Sequence, residues 1–302
     1  MGWRRARSTV VAVARRYDTV SFLSDLGTDD ELVGVVKAVI RDLAPHAHVL
    51  DLAHGIRPFD VRGGSLALAR AVPYVPEGVI LAVVDPGVGT SRRAVAIEVA
   101  GGSGVMVGPD NGLLAAAVAV VGGAERAVLL TDPAFHLEAA GTTFAGRDVF
   151  APVAAHLANG VDLAELGPAV DPGVLMPGLV PLPRDEDDGV HAEVLWVDRF
   201  GNCELNVTVD DLKAEADIYT AVLGDERRTA HRVGAFGDLV AGQIGLIVDS
   251  QGLLALTLDR RSAARELHLD VGDGVILTPA DTDVNPVATP VEMGPGPRRT
   301  GR

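Results

Sequence analysis

The chain has 302 residues, 26 Lys+Arg against 41 Asp+Glu, a formal charge of −15 and a pI near 4.9. So acidic a surface repels phosphate backbones, and the basic residues are scattered, which argues against a nucleic-acid partner. A hydrophobic share of 48% supplies cores for about two domains, while the single cysteine, Cys203, rules out an intramolecular disulfide or thiolate metal cluster and fits a reducing cytoplasm.

Residues 1–17 carry Arg4, Arg5, Arg7, Arg15 and Arg16 around an apolar centre shorter than the ~7 residues of a signal h-region. They are expected to form a disordered leader outside the fold. From residue 18 to 166 the pattern alternates short β-branched runs with helical periodicity, as βαβ units do. Residues 20–23 read as a buried strand. Leu32, Val35, Val36, Val39, Ile40 and Leu43 then fall on one helical face, and Thr28 with Glu31 gives a capping-box signal for its start. Further strands are predicted at 48–52, 79–84, 94–99, 105–108 and 127–130, and helices at 60–72, 111–120 and 147–157. These elements predict an α/β domain with a mixed, mostly parallel sheet flanked by helices. The longest apolar stretch, 113–121, is far below the roughly 18 to 20 residues of a membrane span.

Residues 167–189, with Pro168, Pro172, Pro177, Pro181 and Pro183 before the acidic run 185–188, read as a linker. Between 190 and 280 short strands come at close spacing, for example 192–197, 245–248, 253–258 and 267–269, with a helix only near 209–214. A small β-barrel domain is expected. Residues 281–302, rich in Pro, Gly and Arg, read as a disordered tail.

Several residues could carry chemistry. Asp25 ends the first strand beside Gly27, where a carboxylate can accept hydrogen bonds from ribose hydroxyls or simply cap a turn. Asp85-Pro86-Gly87-Val88-Gly89-Thr90-Ser91-Arg92-Arg93 follows a strand, lacks the Lys-Ser/Thr ending of a phosphate loop and precedes another strand. Its glycines permit a tight turn that folds Arg92 back onto Asp85, giving either a loop salt bridge or a pair able to position and polarise a water. Asp110-Asn111-Gly112 reads as a helix cap. Gly146, in Gly146-Arg147-Asp148, allows a small molecule close to the backbone or serves packing. Asp198 and Asn202 bracket Gly201 and can present an acceptor to an ammonium group and an amide to a nucleobase edge. Cys203 reads as a partly buried small residue. The histidines make no metal-ligand pattern, so no metal is expected. His54, at the end of a strand, is the histidine that could neighbour a site.

Taken in order, Ser21-Phe22-Leu23-Ser24-Asp25-Leu26-Gly27-Thr28, Ile56-Arg57-Pro58-Phe59-Asp60-Val61, Val83-Val84-Asp85-Pro86-Gly87-Val88-Gly89-Thr90, Gly108-Pro109-Asp110-Asn111-Gly112 and Phe144-Ala145-Gly146-Arg147-Asp148 resemble one family. It is the S-adenosylmethionine (SAM) hydroxide adenosyltransferases, or SAM hydrolases, relatives of the SAM-dependent fluorinase and chlorinase. The resemblance extends from about residue 19 to 277 and includes Phe200-Gly201-Asn202 and Ser262-Ala263-Ala264. It implies a homotrimer with SAM sites between subunits and the reaction SAM + water → adenosine + L-methionine, with no cofactor. Carried over, Asp25 would hold the ribose hydroxyls, Phe59 line the ribose pocket, Asp198 meet the methionine ammonium, Asn202 the adenine and Ser250 the methionine carboxylate. Asp85 and Arg92 would hold the attacking water.

Two departures stand out. The hydrolases place a histidine immediately before Gly-Arg-Asp, where this chain has Ala145, and Gln251 stands where the halogenases have an arginine. The first raises a second reading, a SAM- or adenosine-binding protein with little turnover. A third, a chlorinase, is opposed by Asp85, whose negative charge repels a halide.

Overall fold

In the computed structural model, which describes residues 16–212 and 216–280, the run Thr-Val-Ser-Phe-Leu-Ser forms β1 (Thr19–Ser24). It is buried on both faces, as a central strand must be. It belongs to a seven-stranded sheet with β2 (His48–Ala53), β3 (Gly78–Val83), β4 (Ala94–Val99), β5 (Gly104–Pro109), β6 (Ala124–Leu129) and β7 (Ala169–Val170), in the order β2-β1-β3-β5-β4-β6-β7. Pairing is parallel from β2 through β5 and antiparallel from β5 through β7. Helix α1 (Leu32–Leu43) packs on α4 (Ala151–Ala158), and α2 (Val61–Ala71) packs on α3 (Ala115–Val120). The main core lies where Val36 and Ile40 of α1 and the almost wholly apolar α4 meet Phe22, Leu81 and Val107 of the sheet.

Chain order and space order differ at one place. From β1 the chain crosses through α1 to β2 on one side, then through α2 to β3 on the other, so the strand order reverses at β1. In open α/β sheets the crevice outside the carboxyl ends of the strands at such a reversal is where ligands bind.

Helix starts depart from the sequence reading for local reasons. The Thr28–Glu31 capping box does not form. Asp30 Oδ1 accepts from Leu32 N at 3.3 Å, and Glu31, the residue before α1, makes no side-chain cap bond. The helix expected from 111 begins at Ala115, because Gly112 takes φ +93° and Asn111 Oδ1 accepts from Leu113 N. Asp110 caps nothing there: its Oδ1 accepts from Met176 N at 2.8 Å and its carboxylate pairs with Arg93. The helix expected over 147–157 is a wide π turn, Gly146–Phe150, leading into α4.

Within the described residues the chain divides at Val180/Pro181 into two compact units. In the second, β9 (Gly189–Val197), β10 (Cys203–Thr208), β11 (Ile218–Leu223), β12 (Glu226–Val233), β13 (Ile244–Val248), β14 (Leu253–Leu258) and β15 (Gly274–Pro279) close into a barrel. Its order is β9-β10-β14-β13-β12-β11-β15, with β15 returning to β9. A short β8 (Arg184–Glu186) hairpins onto β9. Closure removes the sheet edges and encloses Tyr219, Leu205, Leu246 and Leu256 in a separate core. Thus, of residues 167–189, Ala169–Val170 pair with the first sheet and Arg184–Glu186 with the second.

The strand expected at 267–269 is instead the turn that follows α5 (Ala263–Glu266), whose N-cap Ser262 accepts from Arg265 N; Leu267 N donates to Ala263 O and Leu269 N to Ala264 O, with His268 between them at φ +54°. Near 209–214 the chain makes a turn, with Leu212 N donating to Val209 O, and 213–215 lie outside the described residues. So do the tail 281–302 and most of the leader, residues 1–15.

Candidate active site

The carboxyl ends of the parallel strands gather most of the first unit's expected site residues. Asp25 follows β1 and Asp85 follows β3 by one residue beyond Val84. Ser24 pairs in register with Val83, and Asp25 N donates to Val83 O at 3.3 Å. Asp25 Oδ2 accepts from the backbone N of Phe59 at 2.8 Å. That contact holds Phe59 at φ +69°, a strained conformation for a residue with a side chain, with the residue 71% exposed. Burial raises the Asp25 pKa above the ordinary carboxylate value; the Phe59 N–H opposes this and the negative charge of Asp85 adds to it.

Asp85 and Arg92 form a two-pronged pair. Nε donates to Oδ1 at 2.9 Å and Nη2 to Oδ2 at 2.5 Å, with the side chains only 6% and 13% exposed. The intervening turn is held by Val88 N on Asp85 O and by Thr90 Oγ1 on Gly87 O. Arg92 Nη1 donates to Arg93 O, and the guanidinium lies 5.3 Å from the centre of the Phe150 ring. A planar guanidinium held by these three hydrogen bonds fixes the direction of the carboxylate, so its remaining lone pairs point one way. Gly146 opens the π turn against β3: a Cβ there would lie 3.6 Å from Val83 Cγ1 and 3.2 Å from the Phe144 ring. Arg147 pairs with its neighbour Asp148 and Ala145 precedes this turn with its methyl half-buried.

His54 is drawn in more closely than the sequence indicated. Its ring bridges Ser24 Oγ, 2.8 Å from Nδ1, and Asp51 Oδ1, 3.0 Å from Nε2. Asp51 in turn accepts from Lys37 Nζ at 2.7 Å. Strand ends on adjacent parallel strands make this network, and no sequence spacing announces it.

In the barrel unit, Asp198 caps its own turn: Oδ1 accepts from Phe200 N and Asn202 N, and Oδ2 from Asn202 Nδ2 at 2.7 Å. Thr257 Oγ1 donates to Asn202 Oδ1 at 2.6 Å, which leaves Asn202 one amide N–H to offer a ligand. Gly201 takes φ +87°, with Ser262 packed where its Cβ would be. Asp198, Phe200, Asn202, Arg260, Ser262 and Arg265 border a cavity of about 740 Å³, within the range of small-molecule sites. Ser250 is not among them. It sits in the turn before β14, whereas Ser262 follows β14, so the strand separates the two. Cys203 is fully buried, and burial pushes its thiol up to about 12.

The hairpin of β8 and β9 brings Glu186, Asp188 and His191 together, with potential ligand atoms within 4.8 Å of one another. His191 pairs with Asp188 and Arg184 with Glu186. Linear spacing missed this grouping because the hairpin turn creates it.

Residues 20–167 match the SAM hydroxide adenosyltransferase N-terminal domain and residues 192–276 the corresponding C-terminal domain. An (R)-S-adenosyl-L-methionine hydrolase of Salinispora tropica is 46% identical over 86% of this chain and 97% of its own. The enzyme of that name from Thermus thermophilus is 44% identical over 84% and 96%. A fluorinase from an Actinoplanes species is more distant, at 29% over 86% and 97%. The crystal structure of an uncharacterized conserved protein from Thermotoga maritima superposes with a TM-score of 0.78 at 32% identity, covering 85% of this chain and 99% of that one. Both domains are matched in order over most of the chain, and the chain belongs to the SAM hydroxide adenosyltransferase family.

Proposed function

We propose that this chain hydrolyses S-adenosyl-L-methionine to adenosine and L-methionine. The observation that carries the reading is the Asp85–Arg92 pair, fixed by two hydrogen bonds beside Asp25 where the strand order reverses. Three relatives named as hydrolases stand at 44 to 46% identity and a fourth at 32%, against 29% for the fluorinase, which supports water over halide as the nucleophile.

The reaction makes limited demands. Water attacks C5′, the C5′–O bond forms, and the C5′–S bond breaks with its electron pair left on sulfur as a neutral thioether. One proton is lost from the attacking water to solvent. A neutral leaving group needs no general acid, so catalysis rests on holding water in line with the C–S bond and out of bulk solvent. Asp85, oriented by Arg92, accepts a hydrogen bond from that water and aids its loss of a proton. The overall charge of −15 favours the approach of a cationic sulfonium.

In this reading Asp25 takes the ribose hydroxyls, Phe59 and Gly146 border the sugar, Asp198 meets the methionine ammonium and Asn202 the adenine; Ser250 is assigned to the methionine carboxylate on the motif resemblance alone, since it does not border the cavity of Asp198 and Asn202. We assign a homotrimer, with each SAM site shared between subunits, on the resemblance of the motifs. No cofactor is required by the chemistry. A cytoplasmic location suits the substrate and the single reduced cysteine; among the described residues, no helix is long and apolar enough to cross a membrane.

Incubation with SAM and chromatography for adenosine tests the proposal; no adenosine above a buffer control sinks it. Ala145 favours one second reading, binding with little turnover. Calorimetric SAM binding without product, together with turnover gained in Ala145→His, would establish that reading instead.

A further inference from the structure

Lys37, Asp51, His54 and Ser24 form one hydrogen-bonded chain that ends next to Asp25. Ser24 is fully buried and His54 nearly so. The partners fix the protons. Hydrogen bonds from Lys37 and His54 outweigh burial and hold the Asp51 pKa below the usual carboxylate value, so Asp51 only accepts and His54 Nε2 carries the donor hydrogen. With the hydrogen on Nε2, Nδ1 is placed to accept the Ser24 O–H, and Ser24 Oγ accepts from Leu26 N at 3.3 Å.

The same histidine also holds the loop through its backbone: Gly27 N donates to His54 O at 2.8 Å. Five residues on, Phe59 N donates to Asp25 Oδ2. The segments 24–27 and 54–59 are therefore cross-tied at both ends, once through His54 and once through Asp25 itself. With Phe59 in a strained backbone conformation, the direction of the Asp25 carboxylate depends on the tie at the other end holding.

We propose that His54, acting through Ser24, is a positioning residue that sets the Asp25 carboxylate and so tunes the preference for ligands bearing ribose hydroxyls. The inference rests on the assignment of Asp25 to those hydroxyls. It would act without touching the ligand, so it must show as a change in selectivity rather than as a general loss of binding.

The test is equilibrium binding of adenosine and 2′,3′-dideoxyadenosine to the full chain by calorimetry. Hydrogen bonds to a carboxylate predict that the unaltered protein prefers adenosine by roughly 10- to 100-fold. Ser24→Ala and His54→Leu should each shrink that preference about tenfold, a loss on the scale of one oriented charged hydrogen bond. His54→Asn, whose amide oxygen can replace Nδ1 toward Ser24, should keep most of it. A preference unchanged in Ser24→Ala and in folded His54→Leu overturns the inference alone, as does an equal loss of affinity for both nucleosides. If the unaltered protein does not distinguish the two, the Asp25 assignment fails and takes the inference with it.

Discussion

Removing one half of the Asp85–Arg92 pair should separate catalysis from stability. Both side chains are mostly shielded, at 6% and 13% exposed, and share two short hydrogen bonds. Arg92→Ala leaves a shielded carboxylate without its partner, which costs on the order of 3 to 5 kcal/mol for a buried pair. At roughly 2 to 4 °C per kcal/mol for a unit of this size, the melting temperature of the variant should fall by about 6 to 20 °C. Asp85→Asn keeps the shape and one acceptor oxygen but loses the charge. It should lower kcat by about 10²- to 10⁴-fold, as for a lost acid–base group, with KM for SAM changed less than about threefold because the residue acts on water. The double variant Asp85→Asn/Arg92→Ala has no stranded charge and should regain most of the lost stability while staying inactive. Thermal melts and steady-state assays on the three proteins form a double-mutant cycle. Additive destabilisation in the double variant, or an Asp85→Asn enzyme within tenfold of the unaltered kcat, would refute the reasoning.

Other predictions follow from single groups. Burial and the nearby Asp85 raise the Asp25 pKa, so the folded state favours the protonated form and the ionised group opposes folding at neutral pH. Asp25→Asn should therefore melt no lower than the unaltered protein at pH 7, and gain relative to it as pH rises from about 4 toward 7, while binding adenosine more weakly; a lower melting temperature would contradict this. Gly201→Ala would place a Cβ against Ser262 at a φ of +87°, and should cost at least 1 to 3 kcal/mol in the barrel unit, read by denaturant unfolding. With a thiol pushed up to about 12 and no exposure, Cys203 should resist alkylation at pH 8 until the protein is unfolded; rapid labelling of the native form would show the burial argument to be wrong.

Much of this organisation is legible in the residues because it is local. The apolar face of α1, the buried run of β1 and the tight turn that returns Arg92 to Asp85 each depend on neighbours within a few positions. Competition between local alternatives is less legible. Asp30 reaches Leu32 N before a Thr28–Glu31 box can form, and Asn111 with Gly112 spends four residues on a turn before α3 can start. Contacts made by topology leave no local mark at all. The Ser24–His54–Asp51 chain joins the ends of two strands separated by a helix, and Glu186, Asp188 and His191 meet only through a hairpin. For the same reason the barrel is legible as a class while 267–269 reads as a strand, since a half-buried and a buried Leu on either side of an exposed His look the same in a turn that closes a short helix as in a strand over three residues.

The central claim is that water, held at Asp85 and Arg92, attacks C5′. It is tested most directly by a SAM incubation in ¹⁸O-labelled water containing fluoride and chloride, with the nucleoside product analysed by mass spectrometry. The account predicts adenosine carrying the label in its 5′-hydroxyl and no 5′-halogenated nucleoside. Unlabelled adenosine, a 5′-halo-5′-deoxyadenosine, or SAM returned intact would contradict it.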